Sequence, residues 1–487
     1  MFSKNYKNYL ANNKESGQLT LAVLLFSFVA IIILSGLIIW VDVNLKSAYR
    51  SIHRDSAFRI AEAGIEYYRW HLAHAPLDFQ DGTGQAGPYT HDFYDKSGNI
   101  IGKFKLEITP PPLGSTVVTI RSTGTVEGVS GLEKTIEIKM AKPSFAKYAV
   151  VLNDNVRFGP GTDVFGQIHS NGGIRFDGLA HNIVTSAVPQ YDDPDHSGSN
   201  EFGVHTHIAP TDPIPPAPVP SRTDVFMAGR QSSVPAVDFA GITQSLSQIK
   251  TGAQASGRYF GPSGASGYDI VLKTNDTFDL YRINTLVVPP SGCTNYLSQS
   301  GWGTWSIQGE TLLGNYSIPA NGLVFIEDNT WVRGQINTAR ITIGSGRFPD
   351  NPATRSSITV TSDILYTNYD GQDIMSLISQ NNINIGMVSD TDLRIDAAII
   401  AQNGRVGRYY YRPSGGGSNR CSPYHSRSAI TSYGMIGSYQ RYGFAYTDGT
   451  GYQTRSLIYD SFLLYGPPPS FPLTSDYYEQ IFWNEVK

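Results

Sequence analysis

Arg408-Tyr409-Tyr410-Tyr411-Arg412, with Arg405 just before it, interleaves cations with aromatic faces. Such a run can stack on sugar rings or nucleobases, and Trp302 and Trp305 offer two further faces for the same use. These residues form the candidate ligand-binding set; the plainer reading is that they pack over their own loops. His205-Thr206-His207 places two imidazoles on one face of a strand, with His169 available to join them. A pair without a third ligand specifies no metal. Asp192-Asp193-Pro194-Asp195 and Asp390-Thr391-Asp392 cluster oxygens of the kind calcium takes, yet neither carries the glutamate that closes an EF-hand loop. Loop histidines and turn aspartates are the readings kept, so no metal and no cofactor are expected. Asp363, Asp373 and Asp396 could supply the carboxylates of a polysaccharide-cleaving groove, but their spacing is that of turn residues. No G-x-S-x-G or Walker A motif is present, and no dinucleotide fingerprint set between a strand and a helix is apparent. No catalytic residue is assigned, and the chain is read as not an enzyme. The only two cysteines, Cys293 and Cys421, allow one bridge at most. In an oxidising compartment that bridge would stabilise by a few kcal/mol.

The elements that must position these residues follow from composition and pattern. At 487 residues the chain has room for about three domains. Charged residues make up 16%, well under the usual ~25%. Glycine (49) and proline (28) are abundant, while 12% aromatic content argues against disorder. A net charge of −4 excludes a dominant cationic surface for nucleic acid, though not a local patch. The expected class is mainly β and rich in turns.

The N-terminus stands apart. The run 19–41 (LTLAVLLFSFVAIIILSGLIIWV) carries no charge and is long enough to cross ~30 Å of hydrocarbon as a helix. It lacks the short apolar region and small-residue exit of a cleavable secretory signal, and Trp40 stands where an interfacial residue would. Lys4, Lys7 and Lys14 precede it and Lys46, Arg50, Arg54 and Arg59 follow it, so charge alone does not orient the span. Beyond it, Phe58, Ala61, Ile65, Tyr68 and Leu72 repeat at helical spacing, and Pro76 supplies a stop. A helix from residue 19 to 75 would be roughly 85 Å long.

Three features here resemble the type IV pilin-like proteins, especially the PilX-like minor pilins. They are a short basic leader ending in Gly17 before Gln18-Leu19-Thr20-Leu21, the apolar span directly after it, and the stretch Ser56-Ala57-Phe58-Arg59-Ile60-Ala61-Glu62-Ala63-Gly64-Ile65. The resemblance implies that a prepilin peptidase cuts between Gly17 and Gln18 on the cytoplasmic side, that Gln18 is methylated, and that the head is exported. It implies partners too: other pilin-like subunits through the N-terminal helix, the peptidase and the membrane. The localisation implied is a single-pass protein of the cytoplasmic membrane and a cell-surface filament. One departure matters. Most pilins carry a glutamate five residues into the mature chain, and here that position is Ala22. A buried carboxylate needs a partner, and in pilins it pairs with a neighbouring subunit's amine. Its absence implies a minor subunit, with the filament tip as one place for it.

Residues 98–142 alternate as a small antiparallel sheet that would cover the stripe at 58–72. After residue 143 very short strands recur around Gly/Asn turns, several as apolar-Thr-apolar (Ile341-Thr342-Ile343, Ile358-Thr359-Val360). They fit an irregular β-solenoid with insertions at 289–318 and 404–427; a β-sandwich is the alternative. Residues 190–223, rich in proline, read as a strap, and 239–250 as a short helix. The divisions expected are a leader (1–17), a transmembrane helix (18–41), an amphipathic helix with pilin-like sheet (42–142), a solenoid-like passenger (143–458) and a C-terminal cap (459–487). The stretches GQIHSNGGIRF, IDAAIIAQNG and YDSFLLYGPPPSFP resemble passenger regions of PilX-like surface proteins. The function implied is a minor pilus-like subunit presenting a β-rich head for adhesion or surface binding, and a surface glycan or DNA are the partners considered for that head. Two alternatives are kept: a DNA-binding minor pilin for uptake, and a membrane-anchored polysaccharide-degrading β-helix enzyme.

Overall fold

The computed structural model describes residues 9–112, 115–239 and 241–486; Lys4, Lys7 and the rest of the leader's first eight residues lie outside them. The chain divides into two compact units: 1–109, 119–138 and 482–487 in one, 110–118 and 139–481 in the other.

The first unit opens with a helix over Tyr9–His74, so Gly17 and Gln18 lie within it. It ends just before Pro76, whose ring restricts the residue ahead of it and removes an amide donor. Its C-terminal part buries Ala57, Ile60, Ala61, Ile65, Tyr68 and Leu72, a stripe at i, i+3, i+4 spacing. Phe58, expected on that stripe, is half-buried at its edge and meets Trp483 edge-on at 6.3 Å. The stripe lies under a sheet ordered Tyr89–Tyr94, Ile100–Thr109, Val118–Val126, Glu133–Ala141, Glu479–Val486. Its first two pairings are antiparallel. Helix and sheet approach so closely that a Cβ added at Gly124 would sit 2.1 Å from the Ala57 carbonyl oxygen.

The first and last of those strands were not foreseen. The last one corrects the reading of 459–487 as a cap. Leu463 and Phe471 are buried in the passenger unit's outer core, but Glu479–Val486 leaves to complete the first unit's sheet. Its exposed Glu and Trp residues conceal the strand pattern, because an edge strand has little to bury.

The second unit is a β-solenoid with three parallel ladders. One ladder stacks Arg258–Phe260, Leu323–Ile326, Arg340–Ser345, Ile374–Ser379, Asp392–Ala401 and Ser426–Ser438. It continues through Val150–Leu152, Ile168–Ser170, Val184–Ser186 and Arg230–Gln231. A second carries Thr330–Ile336, Ile358–Val360, Ile383–Ile385 and Val406–Arg408. On later coils its place is taken by Val156–Phe158, Ile174–Phe176 and Val204–His205. The third runs through Ile364–Tyr366, the N-terminal halves of Asp392–Ala401 and Ser426–Ser438, then Gly451–Tyr459, Thr162–Phe165 and Leu179–Ala180. A sandwich would pair its strands antiparallel, so the solenoid reading stands. Its order is not that of the chain: Val150 of the first coil pairs with Ile436 of the last. The chain thus winds outward to residue 231 and starts again at the far end at residue 258.

The first ladder is buried on both sides, which is why its strands read as near-continuous apolar runs. Ile341, Ile343, Met375, Leu377 and Ile399 point into the solenoid core. Phe325, Ile374, Ile378 and Ile400 point outward beneath Leu246, Ile249 and Ala253 of the helix Gly241–Ser256. From Gly267–Lys273 the pairing turns antiparallel through Thr277–Leu286 and Ile307–Ser317. Only 289–306 of the expected first insertion is therefore irregular. Phe278, Leu280 and Ile283 of this arm are fully buried, which occupies a ladder edge that would otherwise invite pairing with another chain.

Candidate functional site

The N-terminal helix leaves most of its apolar surface uncovered. Leu24, Phe26, Phe28, Ile31, Leu34, Ile38 and Trp40 are all more than half exposed. Ala22 is exposed among them. One helix among the described residues is long and apolar enough to cross a membrane.

The aromatic run takes a different place from the one its sequence suggests. Arg408 is 0% exposed. Its guanidinium donates to the Gly386, Met387 and Tyr424 carbonyls and to Ser389 Oγ, the last at 3.0 Å. The Tyr411 and Tyr452 rings lie 4.8 and 5.8 Å from it. Burial lowers its pKa from the ordinary guanidinium value. A cation so enclosed ties loops together and cannot meet a ligand, which corrects its assignment to a recognition surface. Tyr409 and Tyr411 are buried as well, their hydroxyls on the Ser300 and Gly303 carbonyls at 3.3 and 2.8 Å.

Tyr410 is half-buried and donates to Asp448 at 2.7 Å; burial and that carboxylate push its pKa up to about 12. Trp302 and Trp305 donate their indole N–H groups to the Tyr410 and Gly301 carbonyls at 3.1 and 2.9 Å. Arg412 is half-buried, 3.8 Å from the Tyr296 ring centroid. At the centre of this small second core Cys293 and Cys421 form a disulfide joining the two loops.

The aspartates considered for a hydrolytic groove hold turns. Asp373 accepts from the Ala339, Thr367 and Asn368 amides at 3.0, 3.0 and 2.6 Å. Asp396 accepts from the Tyr366 amide, Tyr369 Oη and Arg394 Nε at 3.1, 2.6 and 2.8 Å. Burial raises its pKa, while these bonds act to lower it. Asp363 accepts from the Arg394 amide at 2.8 Å.

Five titratable groups converge at another point of the passenger unit: Asp193, His205 and His207, with His196 and Glu201 sharing His207. Val204–His205 is a ladder strand paired with Ile174–Phe176, and this fixes where both imidazoles begin. The Asp177 carboxylate accepts from the His207 amide at 2.9 Å, and Asp212 from the Thr206 amide at 3.0 Å. Asp212 in turn is paired with Arg230, and Arg222 lies 3.6 Å away. His205 is 0% exposed, and burial lowers its pKa. His169 does not join them. It lies on the first ladder, bonded to Thr185 Oγ1 and Asn171 Oδ1 at 3.0 and 3.1 Å. Glu201 and His196 went unnoticed in the sequence, and Asp193 was read there only as one of a run of turn aspartates, because only the loop 192–203 brings them to the His-Thr-His strand.

No family model and no curated protein matches the sequence. Among solved structures, the crystal structure of competence-associated pilin ComZ from Thermus thermophilus is similar at 12% identity and a TM-score of 0.30, over 89% of this chain and 97% of that one.

Proposed function

We propose that this chain is a minor subunit of a type IV pilus-like filament, held by its N-terminal helix and presenting the β-solenoid as a surface-binding head. One observation carries the reading. Within a single helix, one stripe of 57–72 is buried under its own sheet, whereas 19–41 is apolar and exposed. An apolar face of that size in water is unfavourable at roughly 25 cal/mol per Å², so it belongs in lipid or among like helices. The order of basic leader, Gly17, span and amphipathic stripe supports reading it as a polymerisation helix rather than a plain anchor. Ala22 in place of the usual acid suits a subunit present in few copies.

In this reading the partners are other pilin-like subunits, the prepilin peptidase and the membrane, and the head binds a surface glycan without turning it over. The groups weighed for hydrolysis are committed to turns. DNA uptake, the second reading, drew on Arg408, whose guanidinium is enclosed. Intact-mass and N-terminal sequencing of membrane-extracted protein tests the proposal. A chain beginning at N-methylated Gln18 is expected; full-length protein persisting beside an active prepilin peptidase would overturn it.

A further inference from the structure

Most buried polar groups of the passenger unit are hydrogen-bonded, as interiors demand. The histidine cluster departs from this. Neither ring nitrogen of the fully buried His205 makes a hydrogen bond, nor does Nε2 of His207. The Asp193 carboxylate lies alongside His205 without satisfying it.

The distances within the cluster are distinctive. His205 Nε2 lies 3.5 Å from Asp193 Oδ2, His207 Nε2 lies 3.4 Å from Glu201 Oε1, and His196 Nδ1 lies 3.4 Å from the same oxygen. Hydrogen bonds between such groups run at about 2.7–3.2 Å. Ligand atoms placed tetrahedrally around an ion at bond lengths of about 2.0–2.2 Å stand roughly 3.3–3.6 Å apart. These three pairs are thus too far apart to hydrogen-bond and stand at the spacing of ligands on one cation, and Asp193, His205 and His207 offer ligand atoms that all lie within 4.8 Å of one another.

We infer that the cluster is a binding site for one divalent transition-metal ion of the zinc type. His205, His207 and Asp193 are its inner ligands, and Glu201 and His196 close its outer side. Imidazole with carboxylate suits zinc and its neighbours, whereas calcium takes oxygen ligands throughout. The supports a metal site needs are in place. Asp177 and Asp212 fix the backbone of the His-Thr-His strand, and Asp193 Oδ1 accepts from the Asp195 amide at 3.0 Å. Arg175 approaches Asp193 Oδ2 only to 3.5 Å, its charge being met by Asp177 at 2.8 Å. The ion would fasten the loop 192–203 to the coil that carries Val204–His205, closing a solenoid coil with bonds that the short strands there cannot supply.

The test uses the full chain, purified in detergent, stripped with a chelator and titrated with zinc. Expected are one equivalent of bound zinc and a rise of about 3 °C or more in the melting temperature, reversed by chelator. Calcium should give neither, and cobalt should give the visible absorption of four-coordinate nitrogen/oxygen ligation. His205→Ala and His207→Ala should lose all three signals. His196 has a side chain 43% exposed, so His196→Ala leaves the fold intact and should weaken zinc binding roughly tenfold. Absence of zinc binding in the unaltered chain, equal stabilisation by calcium, or undiminished zinc affinity in His196→Ala and His207→Ala would each overturn the inference.

Discussion

Arg408 and His205 are both fully buried ionisable side chains of the solenoid, and they differ in one respect. Arg408 has both terminal nitrogens of its guanidinium taken up by three carbonyls and a hydroxyl, with Nε alone unbonded, whereas neither ring nitrogen of His205 is bonded. An unbonded buried polar group costs about 1–3 kcal/mol, and a satisfied one stabilises. Burial by itself therefore says nothing about role; what the buried group lacks says a good deal. The satisfied cluster is a tie between loops, and the unsatisfied one is shaped for something that comes from solution.

The largest effect should come from breaking the satisfied side. Arg408→Ala orphans the Gly386 and Tyr424 carbonyls, leaves Met387 only its bond from Arg427, and opens a cavity between Tyr411 and Tyr452. A loss of about 3–5 kcal/mol is expected from the urea midpoint of the purified chain. Arg408→Lys should recover little of it, because an ammonium cannot reproduce the guanidinium fork. Stability unchanged in Arg408→Ala would mean that the residue is a surface cation after all.

Next in size is the covalent tie of the same cluster. Cys293 and Cys421 are 128 residues apart, and reducing the bridge should cost about 2–4 kcal/mol, with hydrogen exchange rising first in 289–306 and 409–425. On the unsatisfied side the sign should reverse. In chelator, His205→Phe removes two unbonded nitrogens at similar volume, and the expected result is a neutral change or a gain of about 1 kcal/mol. A loss as large as that of Arg408→Ala would place the two clusters in one class.

The same contrast explains what could be read in the sequence. The solenoid was legible because apolar-Thr-apolar strands at Ile341–Ile343 and Ile358–Val360 report local pattern, and their ladders pair near neighbours in the chain. The stripe on the helix was legible for the same reason, through its period. The junction of Val150 with Ile436 was not, since it joins residues with no local signal between them. Nor was burial at Arg408. A cation beside three tyrosines looks the same whether it faces solvent or is wrapped by residues 386–389. The His-Thr-His motif was visible, but its remaining ligands depend on how the loop 192–203 folds back.

The half-satisfied case lies between the two clusters, and its effect should depend on pH. Asp269 is fully buried. Its Oδ2 is held by Arg333 at 3.0 Å, while Oδ1 and the neighbouring Glu310 Oε2 have no partner. Burial pushes the Asp269 carboxyl up to about 7, with Arg333 opposing and Glu310 adding to the rise. The native state therefore keeps a proton that the unfolded chain releases near pH 4. Stability from this group is present below pH 4 and lost as pH rises from about 4 to 7, the opposite of the ordinary paired carboxylate. Asp269→Asn fixes the site in its uncharged form, so the difference between variant and parent should grow in the variant's favour across that window and then level off. Urea midpoints from pH 4.5 to 8 measure it. A difference that stays flat across the window would show that Arg333 satisfies the carboxylate fully, moving Asp269 into the class of Arg408.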